Sequence, residues 1–245
     1  MRKKHNLRKL LNLNFLKYTN KTFSVGEKGF PALYCKTDIY PDFLALYSEP
    51  GLYFKTDKTA VCFYEYDSEF DGIHGLYNAI KYDDKELLKF FKARFENVKF
   101  FISPDCSLLG DVQKVVNEER IFASRVDALW FIHELGAVVM PDISFPNEEY
   151  SEYTLDGLEK CETVAISTKG HMNSKKERKW LYEHIRIAVD KLPRLKAIVV
   201  YDGCGNDKNL EKVFSYAKAK NIKIIVPENT LKNCNRKPKK KKVVS

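Results

Sequence analysis

Acidic side chains follow short apolar runs at several points of the chain, in positions where carboxylates could do chemistry. Four acids share this placement: Asp105, Asp142, Asp202 and Glu228. All but Asp202 come directly after a proline, which fixes its own φ and pushes the preceding residue towards an extended conformation. A strand that stops at a defined proline aims the next side chain reproducibly. We therefore interpret these four acids as candidate catalytic residues.

The chemistry that such carboxylates support is metal binding or proton transfer. Hard divalent cations prefer oxygen ligands, and clustered carboxylates supply them. We predict that Asp105 and Asp142 hold a divalent cation such as Mg²⁺ or act as a general base. The alternative for each acid is structural, because Asp also caps helices and marks turns at strand ends.

A second candidate group consists of Lys169, Gly170, His171 and Gly203, which we predict bind substrate or phosphate. Lys169 would neutralise a phosphate, and Gly170 would let the backbone approach a ligand ahead of a helix N-terminus. Gly203 begins a Gly-x-Gly that lacks the rest of a dinucleotide-binding fingerprint. For His171 the alternative is an ordinary solvent-exposed loop histidine.

The spacing of the apolar runs predicts the fold that positions these residues. Runs that begin near residues 98, 137, 163, 197 and 222 leave room for one crossover helix each, which favours parallel strands. Because they are continuous rather than alternating, we expect them to be buried on both faces. The prediction is an α/β fold with a parallel βα-repeat sheet, open or partly closed, of about six strands counted from Val61. A TIM-like barrel is the alternative, which requires two more strands from the N-terminal region.

Helical periodicity and capping residues predict the crossover elements. The predicted helices are Lys85–Phe95, a long helix from about Val112 to Leu135 that could be bent near Arg120, a short helix Thr154–Lys160, a helix from Ser174 to Leu192 and one that begins at Asp207.

Charge divides the chain into three parts. Residues 1–28 hold eight basic and one acidic side chain, and residues 236–245 hold six basic and none acidic, so residues 29–235 carry −4 of the total +9. We predict a basic N-terminal segment (1–28), a single α/β domain (29–235) that begins with a loop-rich aromatic cap, and a basic disordered tail (236–245). This distribution argues against a basic groove across the fold, and leaves nucleic acid or another polyanion as a partner of the two ends.

Several classes of protein are excluded or disfavoured. The chain has no apolar run long enough for a membrane span, and polar residues interrupt the N-terminal region where a secretory signal would need an apolar core. None of the six cysteines forms a Cys-x-x-Cys pair or stands beside a histidine at metal-ligand spacing. We therefore expect reduced thiols and a cytoplasmic protein.

The same motifs carry a resemblance to a known family. The segments Ile102–Leu108, Val139–Pro141, Val164–Gly170 and Ile198–Tyr201, with Ala60–Phe70 before them, resemble successive motifs of the domain-of-unknown-function 4417 family over roughly Pro31 to Pro227. The resemblance implies an origin in bacteria, phages or mobile elements and no established activity. The sequence departs from the family pattern at Phe145, where Trp is usual, and at Asp202-Gly203, where Tyr-Gly is usual.

Two functional hypotheses follow. One is a metal-dependent enzyme that acts on a phosphorylated or nucleotide-like substrate at the carboxyl ends of the strands. The other is a non-catalytic accessory protein that binds protein or nucleic acid through its basic ends. Convergence of Asp105, Asp142, Asp202 and Lys169 in one pocket would favour the enzyme, whereas acids that point apart or cap helices would favour the binding protein.

Overall fold

The computed structural model describes residues 7–145, 153–203 and 207–236. The strands are β1 (Ser24–Val25), β2 (Phe30–Pro31), β3 (Phe43–Leu46), β4 (Thr59–Cys62), β5 (Phe100–Ile102), β6 (Val138–Met140), β7 (Thr163–Ser167), β8 (Ala197–Tyr201), β9 (Lys223–Ile225) and β10 (Glu228–Asn229). The helices are α1 (Leu7–Leu10), α2 (Leu16–Thr19), α3 (Leu76–Tyr82), α4 (Lys85–Arg94), α5 (Lys114–Leu135), α6 (Lys175–Lys191), α7 (Asp207–Val213), α8 (Ser215–Ala219) and α9 (Thr230–Arg236).

Two parallel sheets form the centre of the fold. One has the spatial order β10-β3-β4-β5-β6, and the other has the order β7-β8-β9, with helices between the strands along the chain. Asp142 forms a single parallel bridge to Ala165, which joins the edge of β6 to β7. All these strands run in the same direction, so their carboxyl ends open towards one edge, as the sequence predicts.

The βα-repeat architecture is confirmed, and the ring of strands is only partly closed. β9 pairs with β8, whereas β10 pairs with β3, so one short segment of chain serves both sheets. Pro227 lies between the two strands and has no N–H to donate, which interrupts the ladder there. No closed barrel forms among the described strands, so the TIM-like alternative does not hold. Glu228 also lies within β10 rather than beyond the end of the last strand, which corrects the predicted role of Pro227.

Burial on both faces explains the composition of the strands. Every residue of β4, β5, β7 and β8 is buried, so the Val, Ile and aromatic side chains of these strands contact helices or the interior on either side. Phe101 of β5 stacks on Phe131 of α5 with ring centroids 4.2 Å apart. This packing fixes the strand that leads to Asp105.

Two local predictions are corrected by the structure, and the choice between a continuous and a bent long helix is decided. The aromatic cap contributes β3 to the parallel sheet, although its four residues stand between prolines that favour irregular structure. The predicted helix Thr154–Lys160 is a 3₁₀ turn at Tyr153–Leu155, because Gly157 has φ of 82° and its carbonyl accepts a hydrogen bond from Leu33. The long helix α5 is continuous through Arg120.

The N-terminal segment lies against α5. Tyr18 is buried, and its hydroxyl donates to Glu134 Oε1 at 3.0 Å, while Lys17 Nζ lies 2.6 Å from the same oxygen. Residues 1–6 and 237–245 lie outside the described residues, and with them most of the predicted basic tail.

Candidate functional site

The carboxyl ends of β4, β5 and β6 bring Tyr64, Asp105 and Asp142 together. β5 lies beside β6 with Ile102 opposite Met140, so the two Pro-Asp turns that follow are neighbours. Tyr64, two residues beyond β4, donates its hydroxyl to Asp142 Oδ1 at 2.8 Å. The two acids for which the sequence predicts a shared site therefore lie side by side.

Asp142 is held by hydrogen bonds on both sides of its carboxyl group. Oδ1 accepts from Tyr64, and Oδ2 accepts from the Ser144 backbone N–H at 2.8 Å. The Asp142 N–H donates to Ser103 Oγ at 2.8 Å, which ties the end of β6 to the end of β5. These contacts orient a charged carboxylate in a half-buried position.

Burial makes both carboxyl groups of the pair hold protons more tightly than exposed acids do. Burial raises the pKa of Asp142 to about 6, against the lowering effects of hydrogen bonds from Ser144 and Tyr64 and of the Arg125 charge. Burial, and after it the charge of Asp142, raises the pKa of Asp105 well above its usual range. The Ser144 side chain lies within hydrogen-bonding reach of both carboxyl groups. The larger rise is that of Asp105, so the pair resists full ionisation chiefly at this residue.

Lys169 reaches this pair from the carboxyl end of β7. Its Nζ donates to the Tyr64 carbonyl at 3.1 Å and lies 5.6 Å from the ring centroid of Tyr66. The positive charge of Lys169 lowers the pKa of Asp105, which opposes part of the effect of burial. The predicted phosphate-binding lysine and the two predicted metal ligands thus share one site.

Arg120 of α5 braces the loop that carries Asp105. Its guanidinium forms an ion pair with Asp67, and Nη1 lies 3.5 Å from Asp71 Oδ2. Its Nε donates to the Ser107 carbonyl at 2.5 Å, and Ser107 Oγ donates to Asp67 at 2.9 Å. These bonds fix Ser107, two residues after Asp105, against the segment that follows β4.

A buried arginine lies beside the pair. Arg125 is 3% exposed, and its Nη2 donates to the Thr154 carbonyl at 3.0 Å. Its Nη1 has no hydrogen-bond partner among the described residues. Arg125 lines a cavity of about 30 Å³ together with Arg120, Asp142, Ser144 and Ser124, which is enough room for about two water molecules. A buried, half-satisfied guanidinium in a polar cavity is suited to an oxyanion.

His171 and Gly170 occupy the same loop as Lys169 but face other neighbours. Gly170 has φ of 82°, so the turn after β7 needs a residue without a Cβ. The His171 ring stacks on Phe145 at 5.4 Å, and Phe145 in turn stacks on His184 at 3.9 Å. Burial lowers the pKa of His171, which favours the neutral ring. His171 therefore forms part of an aromatic wall, and no contact joins it to the carboxyl pair.

Asp202 and Gly203, at the end of β8, take part in internal hydrogen bonds. Asp202 is 1% exposed and accepts from the Thr168 hydroxyl at 3.3 Å. The Gly203 N–H donates to Thr168 Oγ1 at 3.3 Å, and its carbonyl accepts from Asn235 at 2.6 Å. The structure thus uses the Gly203 backbone groups that were predicted to cradle phosphate.

Glu228 lies apart from the pair. It sits in β10 and pairs with Lys232 at 3.3 Å, one turn into α9. No contact of the described residues joins Glu228 or Asp202 to Asp105 or Asp142. Of the four predicted catalytic acids, the structure brings two together.

Sequence reasoning missed Tyr64, Ser144 and Arg125. Tyr64 lies in an apolar and aromatic run that predicts a strand and gives no sign of a site residue. Ser144 lies two residues after Asp142 and belongs to no recognisable motif. Arg125 had a signal, because it is a charged residue among the mostly apolar buried positions of α5.

Within the described ranges, no group of three or more His, Cys, Asp or Glu side chains is placed to hold a metal ion. In the same part of the chain, the helices are either too short or too polar to cross a membrane.

Comparison with known proteins identifies the family. The model of the Domain of unknown function (DUF4417) matches residues 24–218. The chain belongs to this family. Asp105, Asp142 and Lys169 lie inside the matched region, whereas Glu228 lies beyond it. No curated protein and no solved structure matches the chain. The family has no established activity, so the function has to be argued from the site.

Proposed function

We propose that this DUF4417 protein is an enzyme that hydrolyses a phosphate ester, with a divalent cation such as Mg²⁺ bound by Asp105 and Asp142. The observation that supports it is the carboxyl pair itself: two half-buried neighbouring acids whose pKa values are both raised. Such a pair is costly to ionise fully without a cation beside it.

The composition of the pair suits magnesium. Mg²⁺ is commonly held by one or two carboxylates and completes its shell with water and with phosphate oxygens of the substrate. Two carboxylates, with no third His, Cys, Asp or Glu ligand among the described residues, therefore suit a cation whose coordination shell a phosphorylated substrate completes. When bound, the cation would polarise the phosphoryl oxygen.

The neighbouring cations suit the phosphate. Arg125 has an unpartnered N–H group in the cavity next to Asp142. Lys169 is held at the Tyr64 carbonyl, close enough to Asp105 to change its pKa. Both can neutralise charge that develops on the phosphoryl group. In the reaction, water adds to phosphorus, the bond to the ester oxygen breaks, and the proton released by water ends on the leaving alcohol.

Cation binding should depend on pH in a way that identifies the pair. The cation needs both carboxylates ionised, so it must displace the proton from Asp105. We expect the melting temperature to rise by about 3–5 °C at pH 8.5 when Mg²⁺ or Mn²⁺ is added at about ten times its Kd. At pH 6 the rise should be much smaller.

The variants Asp105→Asn and Asp142→Asn should fold and lose this stabilisation by cations. Asp190→Asn is the matched control, since it makes the same chemical change at an exposed carboxylate of α6. A wild-type protein whose melting temperature no divalent cation changes at pH 8.5 would refute the metal site. Full retention of the shift in Asp105→Asn would do the same.

The phosphate part of the proposal has its own test. Inorganic phosphate should stabilise the Mg²⁺-loaded protein, and Arg125→Met should lose that effect while it keeps the response to Mg²⁺ alone. Arg186→Met, at an exposed arginine paired with Glu183, is the control. Equal phosphate responses in the two variants would exclude Arg125 as the phosphate ligand. Binding of polyanions by the basic ends stays a prediction, because residues 1–6 and 237–245 lie outside the described part of the chain.

A further inference from the structure

A groove of about 440 Å³ lies between α6 and α7. Its lining is dominated by basic side chains, with one aromatic ring and one amide: Lys175, Arg178, Lys179, Lys212, Tyr182 and Asn209. No acidic side chain lines it among the residues that the structure describes. α6 follows β7, so its N-terminal half lies at the same end of the sheet as the carboxyl pair.

The positive charge of this groove is not compensated. Lys175, Lys179 and Lys212 form ion pairs with none of the described carboxylates. Glu177, the acid in the first turn of α6, is engaged in a capping box, where it accepts from the Ser174 N–H at 2.8 Å. The groove therefore presents its cations to solvent.

In a second groove, acidic side chains neutralise the lysines. The groove of about 520 Å³ beside α2 and α4 is also rich in lysine, yet acids line it as well. There Lys17 pairs with Glu134 at 2.6 Å, and Lys85 pairs with Asp83 at 2.5 Å. The number of lysines does not distinguish the two grooves. They differ because acids pair with lysines in the groove beside α2 and α4, and no described acid does so in the groove between α6 and α7.

The spacing of the groove residues suits a chain of phosphates. Lys175, Lys179 and Tyr182 lie on one face of α6, with about 6 Å between successive turns. Arg178 is held in place by a hydrogen bond from Nη1 to the Met172 carbonyl, at 2.6 Å, in the loop between β7 and α6. Several cations at regular spacing beside an aromatic ring are the features by which proteins bind single-stranded nucleic acid.

We propose that the α6–α7 groove binds the phosphate backbone of a single-stranded nucleic acid. An acidic peptide is less well matched, because Val213 is the single aliphatic side chain among the described lining residues. The proposal goes beyond the phosphate-ester chemistry of the carboxyl pair and holds whether or not that pair is catalytic.

The groove also corrects an expectation from composition. The net charge of −4 over residues 29–235 argues against a basic groove. The structure concentrates cations between two helices and uses acids elsewhere, in ion pairs such as Lys196–Glu162. Net charge describes a whole domain and does not describe one of its faces.

The test is a binding measurement on the full-length protein. A fluorescent oligothymidylate of about 12 nucleotides, within the site sizes of such grooves, is titrated at about 50 mM and about 200 mM salt. The triple variant Lys175→Gln, Lys179→Gln, Lys212→Gln should bind at least about tenfold more weakly at the lower salt. The plot of log binding constant against log salt concentration should become less steep by about 2. Each lost contact with a phosphate of a single strand removes about 0.7 from that slope. Gln has nearly the helix propensity of Lys, so the fold is preserved.

The matched control removes the same charge from the other groove. The triple variant Lys85→Gln, Lys89→Gln, Lys92→Gln on α4 should bind within about twofold of the wild type and keep its salt slope. Tyr182→Ala, which keeps every charge, should weaken binding about fivefold or more through lost stacking.

Three results would overturn the proposal. Equal losses in the two triple variants would assign the binding to overall charge and to the basic ends. A wild-type protein that does not bind the oligonucleotide at the lower salt would exclude the groove as a nucleic-acid site. A polyglutamate peptide that binds the groove more tightly than the oligonucleotide would assign it to an acidic protein partner. Melting curves of each variant check that a loss of binding is not a loss of fold.

Discussion

The carboxyl ends of the two sheets start from the same sequence pattern and reach different results. At the end of β8, Asp202 accepts a hydrogen bond from Thr168, and Gly203 uses both its N–H and its carbonyl within the fold. At the ends of β5 and β6, Asp105 and Asp142 face each other, and burial raises the pKa of each. The end of β8 satisfies the hydrogen bonds of its polar groups, and we call it the satisfied end. The ends of β5 and β6 place two carboxyl groups side by side, and we call them the opposed end.

This difference separates structural acids from functional ones. A structural carboxylate makes the fold more stable, because hydrogen bonds compensate its burial. A carboxyl pair whose pKa values are raised by burial makes the fold less stable when it is ionised, and such pairs are typical of sites that need them for a ligand. Removing an acid should therefore cost stability at the end of β8 and cost little or none at the ends of β5 and β6.

The largest effect is expected at the satisfied end. Asp202→Ala should lower the free energy of unfolding by about 3 kcal/mol, because it removes a fully buried side chain that accepts from the Thr168 hydroxyl and leaves its space unfilled. Urea unfolding at pH 7 measures it, with Asp105→Asn as the comparison. Asn matches Asp105 in size and removes the charge whose burial raises its pKa, so that variant should lie within about 0.5 kcal/mol of the wild type. If Asp105→Asn destabilises as much as Asp202→Ala, the two ends do not differ.

The second effect is a dependence of stability on pH at the opposed end. The pKa of Asp142 is about 6 in the folded state and near 4 in the unfolded state, so the folded state binds more protons between these values. The free energy of unfolding therefore falls as pH rises from about 4 through about 6, by at most about 3 kcal/mol from this group. Above that range the loss is complete.

Asp142→Asn should abolish most of this fall, because an amide does not ionise. Unfolding by urea at pH 4, 5, 6 and 7 gives the slope for both proteins. Asp190→Asn, at an exposed carboxylate, should keep the slope of the wild type. A pH slope in Asp142→Asn equal to that of the wild type would contradict the raised pKa of Asp142.

The sequence predicts the framework of the site because prolines act locally. Pro104 and Pro141 end their strands where the pattern says they should, and parallel pairing of β5 with β6 then makes Asp105 and Asp142 neighbours. Pro227 has the same local effect but a different setting, since the chain after it pairs with β3. That pairing joins residues far apart in the chain, and no local pattern encodes it.

The remaining parts of the site depend on contacts that cross the fold. Tyr64 is an aromatic residue in an apolar run, and only the neighbouring end of β6 gives its hydroxyl a partner. Arg125 reads as one polar interruption of a helix until the cavity beside Asp142 gives it a role. Ser144 becomes significant because its backbone N–H and side chain both contact the carboxyl pair. The sequence around each of these residues is ordinary, and only the folded structure brings them to the carboxyl pair.

The smallest effect tests how much the Tyr64 hydroxyl stabilises the charged form of Asp142 beside Asp105. Its hydroxyl donates to Asp142 Oδ1 at 2.8 Å and lowers the pKa of that group. Tyr64→Phe should reduce the free energy of unfolding at pH 7 by about 1 kcal/mol, the usual contribution of one hydrogen bond. It should also move the fall in stability to higher pH, because the Asp142 carboxylate then loses a donor and its pKa rises further. Tyr201→Phe, at the ring that lies 5.1 Å from Tyr64, is the control and should leave the pH range unchanged. An unchanged pH range in Tyr64→Phe would mean that Ser144 and Arg125 alone stabilise the charge on Asp142. The contacts that stabilise this charge would then come from the residues after β6 and from α5, and not from the residues after β4.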